Sequence, residues 1–188
     1  MSLPDVIDSF GSWAWARHHN VLSWYVRPLF LIPLAVAAYR RSGWGIAATL
    51  VALTTSMFWF PAPTATDPWV AQFLAFERDW LTGDWTIGKV ALTLLVPLFL
   101  TAYALAFWRR SLAWGLALLT AMMASKLMWG VLAGDGTGWA MTAPALTGLA
   151  VGYLALIAGF RHYRRQASRR SPRSPGVTAG CAPQRPRA

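Results

Sequence analysis

Three basic residues stand inside apolar stretches of the sequence, where a charge is costly and points to a function. Arg27 and Lys126 each lie six residues from one end of such a stretch, and Lys89 lies three residues inside another. Six residues of helix correspond to a depth of about 9 Å. Ionisable groups at this depth in a membrane are functional candidates by default. Arg27, Lys89 and Lys126 are therefore candidate ligand-binding or ion-pair residues.

Glu77 is the acidic residue whose position is most informative. The segment Trp69–Leu81 has the periodicity of an amphipathic helix, and Glu77 falls near the middle of its apolar face. A carboxylate in apolar surroundings needs a cationic or hydrogen-bonding partner. We expect that partner to be Arg27, Lys89 or Lys126, which lie at compatible depths. The hypothesis is a polar cluster just below the outer membrane surface.

Two other interpretations of these charges stay open. Long basic side chains can extend to the interface, and Glu77 can reach headgroups or water, so the cluster can equally be a structural ion pair. Asp79 and Asp84 follow Glu77 closely and are further ligand or ion-pair candidates. Together with Glu77 they are the residues that a membrane enzyme acting on lipid would use.

Histidine, cysteine and glycine patterns give little support for a cofactor. His18 and His19 are weak metal candidates, because adjacent histidines point about 100° apart on a helix and do not chelate one ion. Cys181 is the single cysteine and excludes an intrachain disulfide. The glycine-rich Gly134–Gly138 segment lacks the Gly-Lys-Ser/Thr of a P-loop and predicts a tight turn. We expect no cofactor and find no catalytic motif.

The elements that must position these residues are membrane helices. The chain of 188 residues is 56% hydrophobic and 13% charged, below the roughly 25% charge typical of soluble domains. About 20 apolar residues cross a bilayer as a helix. Five stretches qualify, and the predicted fold is an all-α polytopic bundle with spans at Val21–Tyr39, Trp44–Phe60, Thr86–Trp108, Leu112–Leu132 and Trp139–Phe160.

The charge distribution predicts the orientation. Twelve of the 17 Lys and Arg residues follow directly on apolar stretches, at Arg40-Arg41, Arg109-Arg110 and after Phe160. Under the positive-inside rule these sites are cytoplasmic, which leaves all seven acidic residues and the N-terminus outside. The net charge of +10 is then topological and does not indicate nucleic-acid binding. The excess of Arg over Lys suggests a bacterial genome and hence the inner membrane.

The chain contains an internal repeat. Positions 28–42 and 97–111 match at nine of 15 residues, including Pro-Leu-Phe-Leu and Arg-Arg-Ser, and Trp44-Gly45 then matches Trp114-Gly115. Each copy includes an amphipathic surface helix, Leu3–His19 or Trp69–Leu81, before its hairpin of two spans. The predicted architecture is two parallel repeats and one extra span. Where the copies differ, Arg27 aligns with Val96 and Lys126 with Ser56.

The predicted organisation divides the chain into five segments. They are a surface helix and first span (1–42), a second span and outer loop (43–68), the second surface helix and hairpin (69–138), the fifth span (139–160) and a disordered basic cytoplasmic tail (161–188). The tail holds eight Arg and is expected to attract anionic lipids.

Small residues in the fifth span form a helix-packing seam at alternating spacings of three and four. The seam consists of Ala145, Gly148, Gly152, Ala155 and Gly159. Seams of this kind let helix backbones approach closely. It docks the span onto its own bundle or onto a membrane protein partner, which includes a second copy of the chain.

Three functions remain open from the sequence. The first is a non-catalytic binding or assembly partner in the bacterial inner membrane. The second is a transporter or channel-like protein for a small solute, anion or lipid, with its polar site near the outer face. The third is a membrane-embedded enzyme acting on lipid.

Overall fold

The computed structural model describes residues 2–133 and 136–170, and this part of the chain forms helices and no strands. The predicted all-α class is confirmed for these residues. The α-helices are α1 (Leu3–His18), α2 (Val21–Leu29), α3 (Leu31–Tyr39), α4 (Gly43–Thr55), α5 (Pro68–Thr82), α6 (Ile87–Trp108), α7 (Leu112–Ala133) and α8 (Thr142–Arg170). There are also two 3₁₀ turns: Ser56–Phe58 follows α4, and Thr137–Met141 precedes α8.

Four helical stretches are long and apolar enough to cross a membrane. They are Val21–Tyr39, Ile87–Trp108, Leu112–Ala133 and Thr137–Gln166. The remaining predicted span, Trp44–Phe60, corresponds to a shorter apolar helix over Gly43–Phe58. At 1.5 Å per residue this helix is about 24 Å long, less than the roughly 30 Å of hydrocarbon. By length and composition, these four candidate spans indicate a helical membrane protein.

The first candidate span is two helices rather than one. α2 ends at Leu29 and α3 begins at Leu31, with Phe30 between them. Pro28 and Pro33 have no N–H group, so neither can donate the helical hydrogen bond to the carbonyl four positions earlier. The predicted span Val21–Tyr39 is confirmed as a candidate span, and within it the helix is interrupted at Phe30, three residues after Arg27.

Both surface helices begin where the sequence indicates. Ser2 and Asp5 form a reciprocal capping box at the start of α1, with Ser2 N 2.7 Å from Asp5 Oδ2. The Asp67 carboxylate accepts a hydrogen bond of 2.8 Å from the Trp69 N–H at the start of α5. These hydrogen bonds cap the N-terminal ends of α1 and α5.

The ends of α3 and α6 have the same local geometry. Arg41 and Arg110 both have positive φ, of 56° and 59°, which is uncommon for residues other than glycine. The serine after each, Ser42 or Ser111, donates its N–H over 2.9 Å to the carbonyl five positions earlier. This bond is that of a Schellman helix end. Each arginine pair therefore lies at a tight turn between two antiparallel helices.

The main buried cluster lies where α3, α6, α7 and α8 meet. Its members are Leu31, Leu34, Ala35, Ala38, Tyr103, Phe107, Leu119 and Leu156. The hydroxyl of Tyr103 donates to the Leu31 carbonyl over 3.0 Å, within this cluster. Close packing and hydrogen bonds of this kind hold helices together in lipid, where hydrophobic burial contributes little.

α8 is longer than the sequence predicts. It continues ten residues past Phe160 to Arg170, so the expectation of disorder is wrong for residues 161–170. The physical reason is local, because this stretch has neither Pro nor Gly and contains several good helix formers. The rest of the predicted tail, 171–188, lies outside the described residues, as do two residues of the predicted turn at Gly134–Gly138.

Candidate functional site

Aromatic side chains hold α5 against the bundle at the end where α1 and both 3₁₀ turns also lie, here called the surface-helix end. Trp24, Val70, Phe73 and Leu74 form a buried cluster, with the rings of Trp24 and Phe73 packed edge to face at 5.7 Å. Trp129 of α7 extends this wall by contacting Phe76 of α5 at 5.1 Å. The candidate charged residues lie beside this wall.

Glu77 is the centre of the charged group. Its Oε1 atom lies 3.3 Å from Nζ of Lys126, and its Oε2 atom lies 3.6 Å from Nε2 of His18. The side chains of Glu77 and His18 are 16% and 8% exposed, whereas that of Lys126 is 48% exposed. One carboxylate thus connects α5 to α1 and α7. The structure brings together the predicted Glu77 and Lys126.

His18 is a partner of Glu77 that the sequence reasoning missed. The adjacent histidines drew attention only as weak metal candidates. No sequence signal singles out this contact, because it depends on the burial of Ala14 and His18, four residues apart on one face of α1. The ring of His18 packs between those of Trp15 and Trp24, at 5.7 and 6.0 Å. Ala14 and His18 therefore lie on the packed side of α1.

The pKa values of the two buried groups, Glu77 and His18, are both shifted. Burial lowers the pKa of His18 below its usual value, and contact with Glu77 only partly opposes this. Burial alone would raise the pKa of Glu77, but contact with His18 and the positive charge of Lys126 outweigh it and lower that pKa. At neutral pH the carboxylate is therefore ionised beside a neutral imidazole.

Arg27 lies near the same group without bonding to it. It interacts electrostatically with both Glu77 and His18. Within residues 2–133 and 136–170, no hydrogen bond or ion pair to the guanidinium of Arg27 is present, and its Nε atom is buried without a partner. The predicted cluster is therefore a trio in which Glu77 bonds Lys126 and contacts His18, with Arg27 as an unbonded neighbour.

Lys89 lies apart from Glu77. Its Nζ atom donates to the Gly83 carbonyl over 2.8 Å and lies 5.1 and 4.9 Å from the rings of Trp80 and Trp85. The expectation that Lys89 is an available partner for Glu77 is corrected, because the nearby carbonyl and two aromatic faces already hold its ammonium group. Lys89 is buried by these contacts.

Asp79 and Asp84 are on the same side as Lys89. Both are exposed, and both line an open cleft of about 490 Å³ between the end of α5 and the start of α6. The cleft also contains Lys89 and Leu92. Asp79 and Asp84 therefore belong to this second place and not to the trio around Glu77.

The second histidine of the pair is held by its own helix. Nδ1 of His19 lies 2.9 Å from the Trp15 carbonyl. No three His, Cys, Asp or Glu residues converge on one point in the described parts of the chain. His18 and His19 thus face different neighbours, Glu77 and a backbone carbonyl.

The small-residue seam of α8 packs mostly inside the molecule. A Cβ atom built on Gly148 overlaps the ring of Pro28 in α2, and one built on Gly152 lies 3.2 Å from Leu119 in α7. Gly159, by contrast, has open space beside it. The two alanines of the seam are Ala145, which is buried, and Ala155, which is half-buried. Among the described residues, the seam therefore has open space at its Gly159 end.

The chemistry available at the surface-helix end is charge recognition. Two cationic side chains, Arg27 and Lys126, and one carboxylate lie beside an aromatic wall, with one guanidinium unbonded. Comparisons with protein-family models, with curated proteins and with solved structures give no match. The functional argument therefore depends on the geometry of the chain itself.

Proposed function

We propose that the chain is a small, non-catalytic membrane protein of the bacterial inner membrane that acts as a binding or assembly partner. Its proposed topology has five spans, with the N-terminus outside and the basic C-terminal region in the cytoplasm. Its proposed architecture is two parallel repeats, each a surface helix and a hairpin, followed by α8.

Uneven burial of the spans is the observation that carries this proposal. Only 17% of α6 and 11% of α7, over their most apolar windows, are buried, against 39% for Val21–Tyr39. Large apolar side chains therefore remain uncovered on this hairpin: Leu94, Val96, Leu98, Met128 and Leu132. Lipid covers such a face at little cost, and so does another membrane protein packed by van der Waals contact. A second membrane protein seated here is the assembly we propose.

The matching turns support the repeat. Arg41 and Arg110 share a left-handed backbone, and the serine after each bonds its helix in the same way. Gly45 and Gly115, which also match in sequence, both let the preceding helix of their own hairpin approach. A Cβ on Gly45 lies 2.9 Å from Ala37, and one on Gly115 overlaps the Phe107 ring. A duplicated hairpin, present once in each repeat, accounts for these matching turns and glycine contacts.

The shorter helix over Gly43–Phe58 is the basis for proposing a fifth span. Its length of about 24 Å leaves it a few ångströms short of average hydrocarbon thickness, a mismatch that local thinning of the bilayer accommodates at modest cost. It packs against α3 as the second arm of the first hairpin. With this helix spanning, every clustered arginine lies on one side of the membrane.

Site-specific photocrosslinking tests the assembly. A photoreactive residue at Leu94, on the uncovered face of α6, is expected to give one defined crosslinked band in membranes. Leu154 of α8 is the matched control, because it is also well exposed, at 72% against 60% for Leu94. A distinct protein, or a second copy, captured at Leu94 alone supports the proposal. Lipid adducts alone at both positions would overturn it.

Cysteine labelling tests the topology separately. Replacing Cys181 with Ser removes the chain's single cysteine. A cysteine introduced at Ser9 is then expected to react with an impermeant maleimide in intact cells, whereas one at Ser111 reacts only after permeabilisation. Labelling of Ser111→Cys in intact cells contradicts the proposed orientation, and the crosslinking result does not depend on it.

A further inference from the structure

Arg27 is the charged group whose surroundings leave most unsatisfied. It lies within a candidate span, one residue before Pro28 and close to the break at Phe30. Its planar guanidinium carries five N–H donors. Within the described residues none of them is hydrogen-bonded, and Nε is shielded from solvent as well. A buried cationic N–H without a partner is costly, so the Nε–H of Arg27 favours an acceptor at this place.

Glu77 does not fully satisfy this requirement. Its two carboxylate oxygens already face different groups, Lys126 at 3.3 Å and His18 at 3.6 Å. It acts on Arg27 at longer range. At neutral pH the group therefore holds two positive charges, one negative charge and a neutral imidazole, because burial lowers the pKa of His18. One positive charge is left without a counter-ion.

Arg27 and Lys126 are partly accessible from outside the protein. The side chain of Lys126 is 48% exposed, and Arg27 is partly exposed although its Nε atom is buried. Both lie about 9 Å inside the end of their span, from where long basic side chains extend toward the headgroups. Trp24 and Trp129 belong to the adjacent aromatic wall. Arg27 and Lys126 both act electrostatically on His18, so an anion that reaches this level is attracted by two positive charges.

We propose that Arg27 and Lys126 together bind a phosphate-bearing anion, either the headgroup of a membrane phospholipid or free phosphate. Phosphate oxygens match the fork of the guanidinium in two parallel hydrogen bonds, and the ammonium of Lys126 adds a point charge. Glu77 is then a positioning residue, which holds Lys126 at the site and connects it to α1 through His18. The site is independent of the proposed partner face on α6 and α7.

The repeat supplies unusually good test variants. Arg27 aligns with Val96, and Lys126 aligns with Ser56, so Arg27→Val and Lys126→Ser replace each cation by the residue its counterpart carries. Arg27→Lys keeps the charge and removes the fork. Arg78→Gln is the matched control, because Arg78 is an exposed arginine of α5 next to Glu77.

Binding is measured on the full chain, purified and stripped of lipid in mild detergent. Tryptophan fluorescence and native mass spectrometry follow titration with short-chain phosphatidylglycerol, with sodium phosphate, and with short-chain diacylglycerol, which lacks the phosphate. Wild type is expected to bind a phosphate-containing probe in preference to diacylglycerol. Arg27→Val should bind it about tenfold more weakly or worse, Lys126→Ser and Arg27→Lys to intermediate extents, and Arg78→Gln like wild type.

The probes identify the source of the anion. Binding of phosphatidylglycerol without phosphate indicates a lipid headgroup site, and binding of phosphate without the lipid indicates a site for the free anion. Binding of both shows that the phosphate group is sufficient. Equal binding by Arg27→Val, equal binding of diacylglycerol, or no binding of either phosphate probe overturns the proposal. Arg27→Lys keeps the comparison valid if Arg27→Val does not fold.

Discussion

Oε1 of Glu77 lies 3.3 Å from Nζ of Lys126, a contact between residues 49 positions apart that joins α5 to α7. The same carboxylate reaches His18 of α1 through its other oxygen. α1 and α5 are thereby attached to α7, a candidate membrane span, through a single side chain. This arrangement makes Glu77 the point where changes in α1, α5 and α7 are expected to couple.

The Glu77–Lys126 pair is expected to contribute little to stability. Because the side chain of Lys126 is 48% exposed, solvent screens the pair, and such pairs contribute at most about 1 kcal/mol. Lys126→Ser should therefore lower the unfolding free energy by no more than that. A double-mutant cycle of Glu77→Gln and Lys126→Ser, followed by unfolding in mixed micelles, measures the coupling. A coupling above about 2 kcal/mol would contradict the screened description.

Stability should depend on pH through His18. Burial lowers the pKa of His18 in the folded protein, whereas in the unfolded chain it protonates near 6.5. The unfolded state therefore binds the extra proton first, and stability falls as the pH drops from about 6.5 through the lower folded pKa. The groups facing the ring are Glu77, Arg27 and Lys126. The pKa of Glu77 is itself lowered, so its contribution is lost as the pH falls from the ordinary carboxyl range through that lower pKa.

Melting temperatures between pH 8 and pH 5.5 test this dependence. His18→Gln should flatten the decline below pH 6.5, because the substituted side chain does not titrate. His162→Gln is the control, since His162 is an exposed histidine of α8. It should decline as wild type does. Parallel curves for His18→Gln and wild type would exclude His18 as the source.

Periodicity and charge spacing were enough to predict much of the architecture. The lengths of the apolar stretches predicted the positions of the long helices. The placement of Glu77 on the apolar face of α5 predicted a cationic partner such as Lys126. These inferences succeed because they depend on local pattern. The break at Phe30 was also locally encoded, by Pro28 and Pro33, but a count of apolar residues ignores missing N–H donors.

Long-range packing was beyond the sequence. No local sequence pattern indicates that His18 of α1 contacts Glu77 of α5. Nor does one indicate that Lys89 donates to the Gly83 carbonyl and not to Glu77. Which side chains contact each other depends on how the helices pack in three dimensions, and a single sequence does not show that packing directly.

Tyr103 should be a stabilising contact between α6 and α3. Its hydroxyl is buried and donates to the Leu31 carbonyl over 3.0 Å. Tyr103→Phe removes this bond without removing the ring, so a loss of about 1 kcal/mol in unfolding free energy is expected. Tyr153→Phe is the comparison, because the Tyr153 hydroxyl bonds at a partly exposed place. An equal or larger loss for Tyr153→Phe would contradict the importance of burial here.

The α8 seam gives a test in which two glycines of one helix should respond oppositely. A Cβ at Gly148 overlaps the rigid ring of Pro28, so Gly148→Ala forces α8 away from α2 and should cost about 1–3 kcal/mol. Beside Gly159 nothing lies within 4 Å, so Gly159→Ala meets no obstacle and gains from the better helix propensity of alanine, by about 1 kcal/mol or less.

Thermal unfolding of both variants in the same detergent separates internal docking from assembly. Destabilisation of Gly148→Ala in the monomer places that part of the seam inside the fold. If Gly159→Ala leaves the monomer intact but removes a crosslinked partner, the uncovered end of the seam belongs to the assembly surface. Equal melting temperatures for Gly148→Ala and wild type would mean that α8 does not pack closely on α2.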